Sequence, residues 1–270
     1  MKKAYILYKK SDAERNGVLI GKYFAAIRRR SLAPSLVITD RLPREAVFDL
    51  VSDGAFVIDR GRDALLARYL EERGLRVSNP SIVTETANDK LLTYERLHGA
   101  APMLETRLLT EAEPQLDYPF VAKPAGGHGG SGVTLIRTPE ELEAYRAAHP
   151  EKSVVQPFAD AHGRDMRVYV IGGKPAAVML RESGGDFRSN FSLGGSAKTV
   201  PVGELKEDET AIVNAVCSVL PLEYAGVDVI RDGDKALLNE IEDPVGARML
   251  YIYTDVDPAE RHVEEIVRSI

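Results

Sequence analysis

Short apolar runs alternate with longer amphipathic stretches over the first 80 residues. The apolar runs have the length of strands and lie at residues 4–8, 36–39, 55–58 and 75–78. The stretches between them have apolar residues at helical spacing and lie at residues 17–30, 43–51 and 63–73. Because such alternation with short connections is typical of a parallel sheet covered on both faces, we expect a small Rossmann-like layer. Pro43 is expected in a first helical turn, and residues 79–86 are expected to form a linker.

Charged residues follow the first strand, at the edge where open α/β sheets usually bind ligands. They are Lys9, Lys10 and Arg15. Two interpretations stay open for them: a solvated loop, or side chains that contact a carboxylate or phosphate of a substrate. No G-x-G-x-x-G motif follows this strand, so nothing here indicates dinucleotide binding.

A glycine-rich segment joins two strands predicted at residues 120–124 and 133–136. Five of the seven residues in 126–132 are glycine. Such a loop either turns successive backbone N–H groups toward an anion or forms a mobile surface hairpin. Lys123 lies inside the preceding apolar strand, where an unpaired ammonium is costly, and this favours a bound phosphate.

A second lysine, Lys90, falls in the first turn of a helix predicted to end near Leu97 and to be capped by Thr86 or Asn88. The helix dipole disfavours a cation at this end. Lys90 is therefore either an ordinary surface residue or a residue that faces an anionic ligand at the helix end.

Three carboxylates lie in two apolar strands near the C-terminus of the sequence. Glu240 and Glu242 are two apart and share one face of a strand. A tight Asp-Gly turn would pair Asp228 with Leu237, whereas a loop centred on Asp234 pairs it with Glu240; we predict the second register. Converging carboxylates repel unless a hard cation neutralises them, and oxygen ligands suit Mg²⁺ or Mn²⁺. The alternative is an exposed strand face of solvated acids.

Composition excludes several classes of function. At about 150 residues per domain, 270 residues correspond to one or two domains, and 44 % apolar residues are ordinary for a globular protein. A net charge of −6 gives no reason to expect nucleic-acid or membrane partners. The single cysteine and the short apolar run near the N-terminus favour a cytoplasmic protein over a secreted or membrane-spanning one.

The chain resembles the ATP-grasp proteins, and above all the RimK-type carboxylate–amine ligases, over about residues 86–246. The motifs that carry the resemblance are at residues 88–90, 121–132, 154–159, 163–167, 185–190, 225–228 and 239–242. The resemblance implies an α/β ATP-grasp fold with an N-terminal Rossmann-like pre-ATP-grasp domain. The implied domains are residues 1–85, a central lid subdomain at 86–155, and a C-terminal subdomain with a metal site at 156–270.

The resemblance also implies a role for each matching residue. The residues implied to contact the ATP phosphates are Lys90, Lys123, Gly129, Gly130 and Ser131. The segment formed by Gln156, Pro157, Phe158 and Ala159 would be the hinge that reads adenine through the Pro157 carbonyl and the Ala159 N–H, and Asp160 would contact the ribose. Asp228, Glu240 and Glu242 would hold Mg²⁺ or Mn²⁺. Arg167, Arg181 and Asn190 would face the γ-phosphate and an acyl phosphate formed from it.

The sequence departs from the family pattern at two positions. Glu242 stands where these enzymes have asparagine, which adds a negative charge to the metal site. Leu193 stands where the family usually has arginine, so a cation near the reacting phosphate is missing. After the metal ligands, Arg248 is a candidate for recognition of a substrate carboxylate.

The implied activity is ATP-dependent ligation, in which a substrate carboxylate becomes an acyl phosphate and an amine then displaces phosphate. The implied partners are small-molecule or peptide carboxylates and amines, and the implied assembly is a homo-oligomer. Two alternatives are a small-molecule kinase on the same fold and a nucleotide-binding regulatory protein without catalysis, to which Leu193 points.

Overall fold

The first sheet of the computed structural model is parallel, and the residues described are 1–110, 112, 114–127, 130–159, 161–183 and 196–270. Its strands are β1 (Lys3–Tyr8), β2 (Ala33–Ile38), β3 (Gly54–Asp59) and β4 (Val77–Ser78), in the order β2-β1-β3-β4. Its helices are α1 (Lys10–Arg15), α2 (Gly17–Arg29), α3 (Arg44–Val51) and α4 (Ala64–Glu71). Residues 4–8 of β1 are all buried, as expected for a central strand covered on both faces. The predicted parallel layer is confirmed.

Three local predictions need correction. Pro43 precedes α3 as its N-cap and does not lie in the first turn. The expected linker at residues 79–86 is mostly the helix α5 (Ser81–Ala87). The next helix, α6 (Lys90–Leu97), is capped by Asp89, whose carboxylate accepts hydrogen bonds from the N–H groups of Leu91 (2.9 Å) and Leu92 (3.2 Å). A carboxylate accepts from a helix N-terminus more strongly than a neutral cap, so Asp89 takes this position.

The second sheet is antiparallel and lies in the middle of the chain. It contains β5 (Arg107–Leu108), β6 (Phe120–Pro124), β7 (Thr134–Ile136) and β8 (Ser153–Pro157), in the order β5-β8-β6-β7. Helix α7 (Pro139–Ala148) covers one face, where Leu142 and Tyr145 pack against Phe120 and Ile136. The pairing of β6 with β7 confirms that the glycine-rich segment connects a hairpin.

The third sheet is also antiparallel and contributes most of the site described below. It contains β9 (Arg164–Ile171), β10 (Lys174–Glu182), β11 (Ser196–Val200), β12 (Tyr224–Asp232) and β13 (Lys235–Glu242), in the order β11-β10-β9-β12-β13. Helix α8 (Glu207–Val219) covers one face through Ile212, Val213 and Val216, which join a core with Val168 and Val227.

The last two helices, α9 (Arg248–Tyr253) and α10 (Pro258–Arg268), return the chain to the first sheet. Val263 and Ile266 of α10 share a core with Tyr23 and Ile27 of α2. His262 is buried there, with its Nδ1 2.8 Å from the Tyr23 hydroxyl. The first sheet is therefore fixed to the end of the chain. Among the described residues, no helix has the length and apolar character needed to cross a membrane.

Candidate functional site

The acidic residues of β12 and β13 meet as predicted, but through a different turn. Asp232 pairs with Lys235 across a tight turn at Gly233 and Asp234, and not across a longer loop centred on Asp234. That turn alone would place Asp228 opposite Asn239. A one-residue bulge at Asn239 shifts the register, so Asp228 pairs with Glu240. The predicted pairing is confirmed, and the predicted loop is wrong.

The three carboxylates form one cluster. One ligand oxygen from each of Asp228, Glu240 and Glu242 lies within 4.8 Å of the others. Asp228 is completely buried, whereas Glu240 and Glu242 are half-buried. An all-oxygen donor set with open positions fits Mg²⁺ or Mn²⁺ better than Zn²⁺. The residues present therefore fit the expected cation.

Two arginines already neutralise part of this acid cluster. Arg167 donates to both oxygens of Asp228, at 2.7 Å from Nε and 2.6 Å from Nη2. Arg181 Nη2 donates to Asp228 at 2.6 Å, and its Nε donates to Asp165 at 2.7 Å. Burial raises the pKa of Asp228, but the charges of both arginines outweigh it and hold that pKa below its usual value. Two guanidinium groups therefore supply part of the neutralisation that the sequence analysis expected from a cation, and the metal site itself stays a prediction.

Glu242 has a partner for its extra charge. Its carboxylate forms an ion pair with Nη2 of Arg167, so one guanidinium spans Asp228 and Glu242. Gly226 makes room for this side chain, because a Cβ there would lie 3.3 Å from Arg167 Cδ and Nε. Glu242 thus shares Arg167 with Asp228, so its extra charge is only partly offset within the site.

The loop after β13 is anchored to α5. Asp243 accepts hydrogen bonds from Asn79 Nδ2 and Thr84 Oγ1, both at 2.7 Å. Asn88 Nδ2 donates to the Asp243 carbonyl at 2.8 Å. These contacts join residues more than 150 positions apart in sequence, and they fix the segment that directly follows Glu242.

Both predicted lysines line a cavity of about 130 Å³ between the second and third sheets, together with Glu240. Burial lowers the pKa of the Lys123 ammonium to about 8, and the charge of Glu240 partly offsets this. Burial also lowers the pKa of Lys90. Among the described residues neither ammonium has an ion-pair partner; Lys90 Nζ donates to the Gly127 carbonyl. Poorly compensated cations in a cavity favour an anionic ligand.

Both the hairpin and the expected hinge line this cavity. The lining residues from the hairpin are Gly130 and Ser131, and those from the hinge are Gln156, Pro157, Phe158 and Ala159. Gln156 Nε2 donates to Thr106 Oγ1 at 2.6 Å, which fixes the start of the hinge. Leu104, Val121 and Ile230 supply apolar surface to the same cavity. A flat ring beside a phosphate chain matches this combination of surfaces.

Several lining residues were missed by sequence reasoning. Asp165 lines the cavity and pairs with Arg181, and its spacing of two from Arg167 in an extended strand was the available signal. Asn239 lines the cavity because of the bulge, and no local sequence pattern predicts that bulge. Three predicted site residues, Gly129, Asp160 and Asn190, lie outside the described residues, as does Leu193.

A second cavity of about 100 Å³ lies beside Glu242, at the carboxyl edge of the first sheet. Lys9, Lys10 and Arg15 are exposed and do not line it; Arg15 pairs with Asp12 at 2.7 Å on its own helix. Arg60 and Arg62, which follow β3, line it instead. Arg60 and Arg62 have the same sequence feature that pointed to Lys9, Lys10 and Arg15, namely charge directly after an apolar strand. Arg248 is exposed at the start of α9 and lines neither cavity.

Comparison with known proteins adds a sequence relationship. Residues 105–266 match the RimK-like ATP-grasp domain family. A beta-citrylglutamate synthase B from Danio rerio is 32 % identical over 188 residues, which are 64 % of this chain and 45 % of that relative. A probable alpha-L-glutamate ligase from Parasynechococcus marenigrum is 30 % identical over 220 residues, which are 76 % of this chain and 46 % of that relative. The chain spans less than half the length of these two relatives.

Solved structures share the fold. A RimK domain ATP-grasp protein from Sphaerobacter thermophilus superposes with a TM-score of 0.76 at 22 % identity, over 98 % of this chain and 99 % of the other. A D-alanine–D-alanine ligase from Bacillus anthracis, solved in complex with ATP, superposes with a TM-score of 0.75 at 15 % identity, over 99 % and 97 % of the two chains.

Proposed function

The chain belongs to the RimK-like ATP-grasp family, and we propose that it is an ATP-dependent carboxylate–amine ligase. The observation that carries this proposal is the position of Glu240, which lines the lysine-containing cavity and also belongs to the acid cluster. A triphosphate held by Lys90 and Lys123 would place its terminal phosphates against the carboxylates that can hold Mg²⁺. The names of the two relatives, a synthase and a ligase, support a bond-forming reaction.

Each group in the cavity has a proposed role in nucleotide binding. Lys90 and Lys123 neutralise the phosphate oxygens, and the hairpin residues Gly130 and Ser131 cover them. The adenine ring lies between the hinge and the apolar surface of Leu104, Val121 and Ile230. The hinge presents main-chain groups that can pair with the ring edge, and a proline at 157 keeps the carbonyl that this needs.

The metal-dependent part of the mechanism concerns charge. Asp228, Glu240 and Glu242 would hold Mg²⁺ (or Mn²⁺), which supplies neutralisation of the phosphate oxygens when bound. Arg167 and Arg181 donate to the carboxylate of Asp228 and keep it ionised. Arg167 extends to Glu242 and fixes the spacing of two ligands.

The proposed reaction has two steps. An oxygen of the substrate carboxylate attacks the γ-phosphorus in line, and ADP leaves with an acyl phosphate formed. The amine nitrogen then attacks the acyl carbon, phosphate departs, and the nitrogen loses a proton to give the amide. Positioned charges stabilise both steps, so no serine or cysteine nucleophile is required. Closure of the lid subdomain at residues 86–155 would keep water from the acyl phosphate.

The carboxylate and the amine are small molecules or peptides in this proposal, in keeping with the relatives named as a beta-citrylglutamate synthase and a glutamate ligase. The sequence also predicts a cytoplasmic, homo-oligomeric enzyme, and these two points stay predictions.

The test is release of ADP and phosphate from Mg-ATP in the presence of pooled amino acids and small carboxylates. We expect release that depends on the pool, is lost in Glu240→Gln and is kept in the exposed control Glu204→Gln. ADP formed without free phosphate when hydroxyl compounds are supplied would indicate the kinase alternative. Nucleotide binding without turnover in any pool would contradict the ligase and favour a regulatory protein.

A further inference from the structure

The corner between α5 and α6 connects the lysine-containing cavity to the acid cluster. It consists of three consecutive residues, Asn88, Asp89 and Lys90. Lys90 lines the cavity, and Asn88 Nδ2 donates to the carbonyl of Asp243. Asp243 directly follows Glu242, a member of the acid cluster. The route from Lys90 to Glu242 therefore passes along the chain and across a single side-chain hydrogen bond.

The amide of Asn88 has two donors on one nitrogen and uses both. Nδ2 donates to the Thr84 carbonyl, in the last turn of α5, at 2.9 Å and to the Asp243 carbonyl at 2.8 Å. An ionised aspartate has no donor and a serine or threonine hydroxyl has one, so none of these side chains could make both bonds. The side chain at position 88 thus holds the loop after β13 against the end of α5.

The next two residues hold the same corner against the second sheet. The main-chain N–H of Lys90 donates to the Ala125 carbonyl, just beyond β6, at 2.9 Å, and Lys90 Nζ donates to the Gly127 carbonyl. Asp89 accepts from Lys152 Nζ at 2.7 Å, just before β8. The Ala125 N–H donates to the Lys152 carbonyl at 2.8 Å, which closes the group of contacts. The corner is therefore fixed to the end of β6 that leads into the glycine-rich hairpin.

The loop after β13 has a second attachment that does not involve Asn88. The Asp243 carboxylate accepts hydrogen bonds from Asn79 and Thr84, both at 2.7 Å. Asp243 is buried, whereas Asn88 is half-buried. Removal of the Asn88 amide would free the carbonyl of Asp243 while its carboxylate stays bound. A change at position 88 therefore acts on the placement of Glu242 without detaching the loop.

We propose that Asn88 is a positioning residue that couples occupation of the phosphate site at Lys90 to the placement of Glu242 for Mg²⁺. This inference rests on the proposed function, which assigns Lys90 to the phosphates and Glu242 to the metal. A phosphate at Lys90 competes with the Gly127 carbonyl for the ammonium. The resulting shift of the corner reaches Glu242 through the Asn88 amide. Nucleotide and Mg²⁺ then strengthen each other's binding, by the same factor in both directions.

The experiment measures ADP affinity by calorimetric titration, once with a chelator of divalent cations and once with saturating Mg²⁺. The ratio of the second affinity to the first is the Mg²⁺ gain. Asn88→Ala should lower this gain about tenfold, a loss that is common when a group supporting a metal ligand is removed. The control Asn214→Ala changes an exposed asparagine of α8 and should leave the gain unchanged.

A second variant tests the attachment of the corner to the second sheet. Lys152→Gln removes the partly exposed ion pair with Asp89 and should lower the Mg²⁺ gain about two- to fivefold, the effect of a surface pair. Lys22→Gln removes a comparable pair, with Asp257 at 2.9 Å, and should have no effect on the gain. Because both pairs are partly exposed, these two variants keep the fold even if Asn88→Ala does not.

A double substitution separates positioning of Glu242 from a general loosening of the structure. If Asn88 acts through Glu242, the effects of Asn88→Ala and Glu242→Gln are not additive. In the Glu242→Gln background, Asn88→Ala should therefore leave the Mg²⁺ gain as it is. A purely structural role of Asn88 would lower the gain by the same factor in both backgrounds.

The inference is overturned if Asn88→Ala leaves the Mg²⁺ gain unchanged, or if it lowers the gain equally in both backgrounds. A complete absence of the gain in the unsubstituted protein would overturn the proposed metal site together with this inference. ADP release with the substrate pool, measured on the unsubstituted protein, reports separately on the ligase proposal. Intact release with an Mg²⁺ gain that does not depend on Asn88 would therefore leave the ligase function standing.

Discussion

Asp228 and Glu240 face each other across β12 and β13 because β13 contains one extra residue, Asn239, at that point. A bulge of this kind bends the strand and redirects a side chain. Here both Asn239 and Glu240 line the lysine-containing cavity, and Glu240 still reaches the acid cluster. Glu240 is only half-buried and has no ion-pair partner among the described residues, so it can be changed with little effect on folding.

We expect Glu240→Gln to lower the affinity for the Mg²⁺ that supports ADP binding by at least about tenfold. Loss of a residue that only supports a metal ligand commonly lowers metal affinity by that much. Calorimetric titration of ADP at several Mg²⁺ concentrations measures this. Glu204→Gln, a change at an exposed residue between β11 and α8, provides the control. Equal Mg²⁺ dependence in both variants would remove Glu240 from the metal site.

The buried pairing of Arg181 with Asp165 and Asp228 should dominate stability in this part of the sheet. Arg181→Gln leaves two buried carboxylates with one guanidinium fewer, and we expect a loss of about 3–5 kcal/mol in the free energy of unfolding. Arg164→Gln, which removes an exposed pair with Glu182 at 3.1 Å, should cost less than about 1 kcal/mol. Urea denaturation compares the two, and similar midpoints would contradict the prediction.

Lys123→Ala should weaken ADP and ATP binding by about ten- to hundredfold, the size of a hydrogen bond to a charged group. In the ligand-free protein the ammonium of Lys123 lies in an unfavourable buried environment. Its removal should therefore not lower the free energy of unfolding. Lys174→Ala, at the exposed start of β10, serves as the control for charge alone. Unchanged nucleotide affinity in Lys123→Ala would exclude the lysine from the phosphate site.

Gly132→Ala tests the hairpin. Gly132 has φ +69°, and a Cβ there would lie 2.8 Å from Pro124 Cγ. Gly173 has φ +72° with no atom within 4 Å of its added Cβ. Both changes therefore place a side chain in the left-handed backbone conformation, which costs about 1–2 kcal/mol. Only Gly132→Ala must also displace the hairpin. We expect weaker nucleotide binding in Gly132→Ala alone; equal affinities in the two variants would contradict this.

His262 should make the protein sensitive to acid. Burial lowers its pKa from 6.5 to about 3, so below pH 6.5 the unfolded chain binds a proton that the folded chain does not. This stabilisation is complete above pH 6.5 and is lost as the pH falls toward 3. At about 1.4 kcal/mol per pH unit, the loss at pH 4.5 is about 2–3 kcal/mol.

The comparison that isolates this effect is His262→Gln against the exposed control His98→Gln. Urea denaturation at pH 7 and pH 4.5 should show that His262→Gln loses about 2–3 kcal/mol less than the control over this interval. An identical loss in both variants would mean that His262 is not buried in the neutral form.

Much of the fold could be predicted from local sequence. Strand-length apolar runs and helical spacing were sufficient for the parallel sheet, the glycine-rich segment for the hairpin, and the ordered motifs for the RimK-like family, which the match over residues 105–266 confirms. The pairing of Asp228 with Glu240 was also predicted, because alternation along a strand limits the possible registers.

The rest depends on contacts between distant residues. The pairing of Arg181 with Asp228 joins positions 47 apart, and it decides how the acid cluster is neutralised. Arg62 meets Asp12 only because β1 and β3 are neighbours in the sheet. The bulge at Asn239 allows a tight turn at the end of the hairpin while Asn239 and Glu240 still face the cavity. None of these relationships has a local pattern.

The contact of α10 with α2 has a consequence for the order of folding. Tyr23 and His262 are 239 positions apart, and Leu19, Tyr23, Ala26 and Ile27 of α2 belong to the core that α10 completes. During synthesis α2 emerges long before α10, so one apolar side of the helix layer on the first sheet has no cover until α10 is made. Contacts of such high sequence separation form slowly. The core between α2 and α10 is therefore completed long after α2 is synthesised, and its uncovered apolar side is what a nascent chain must protect from aggregation.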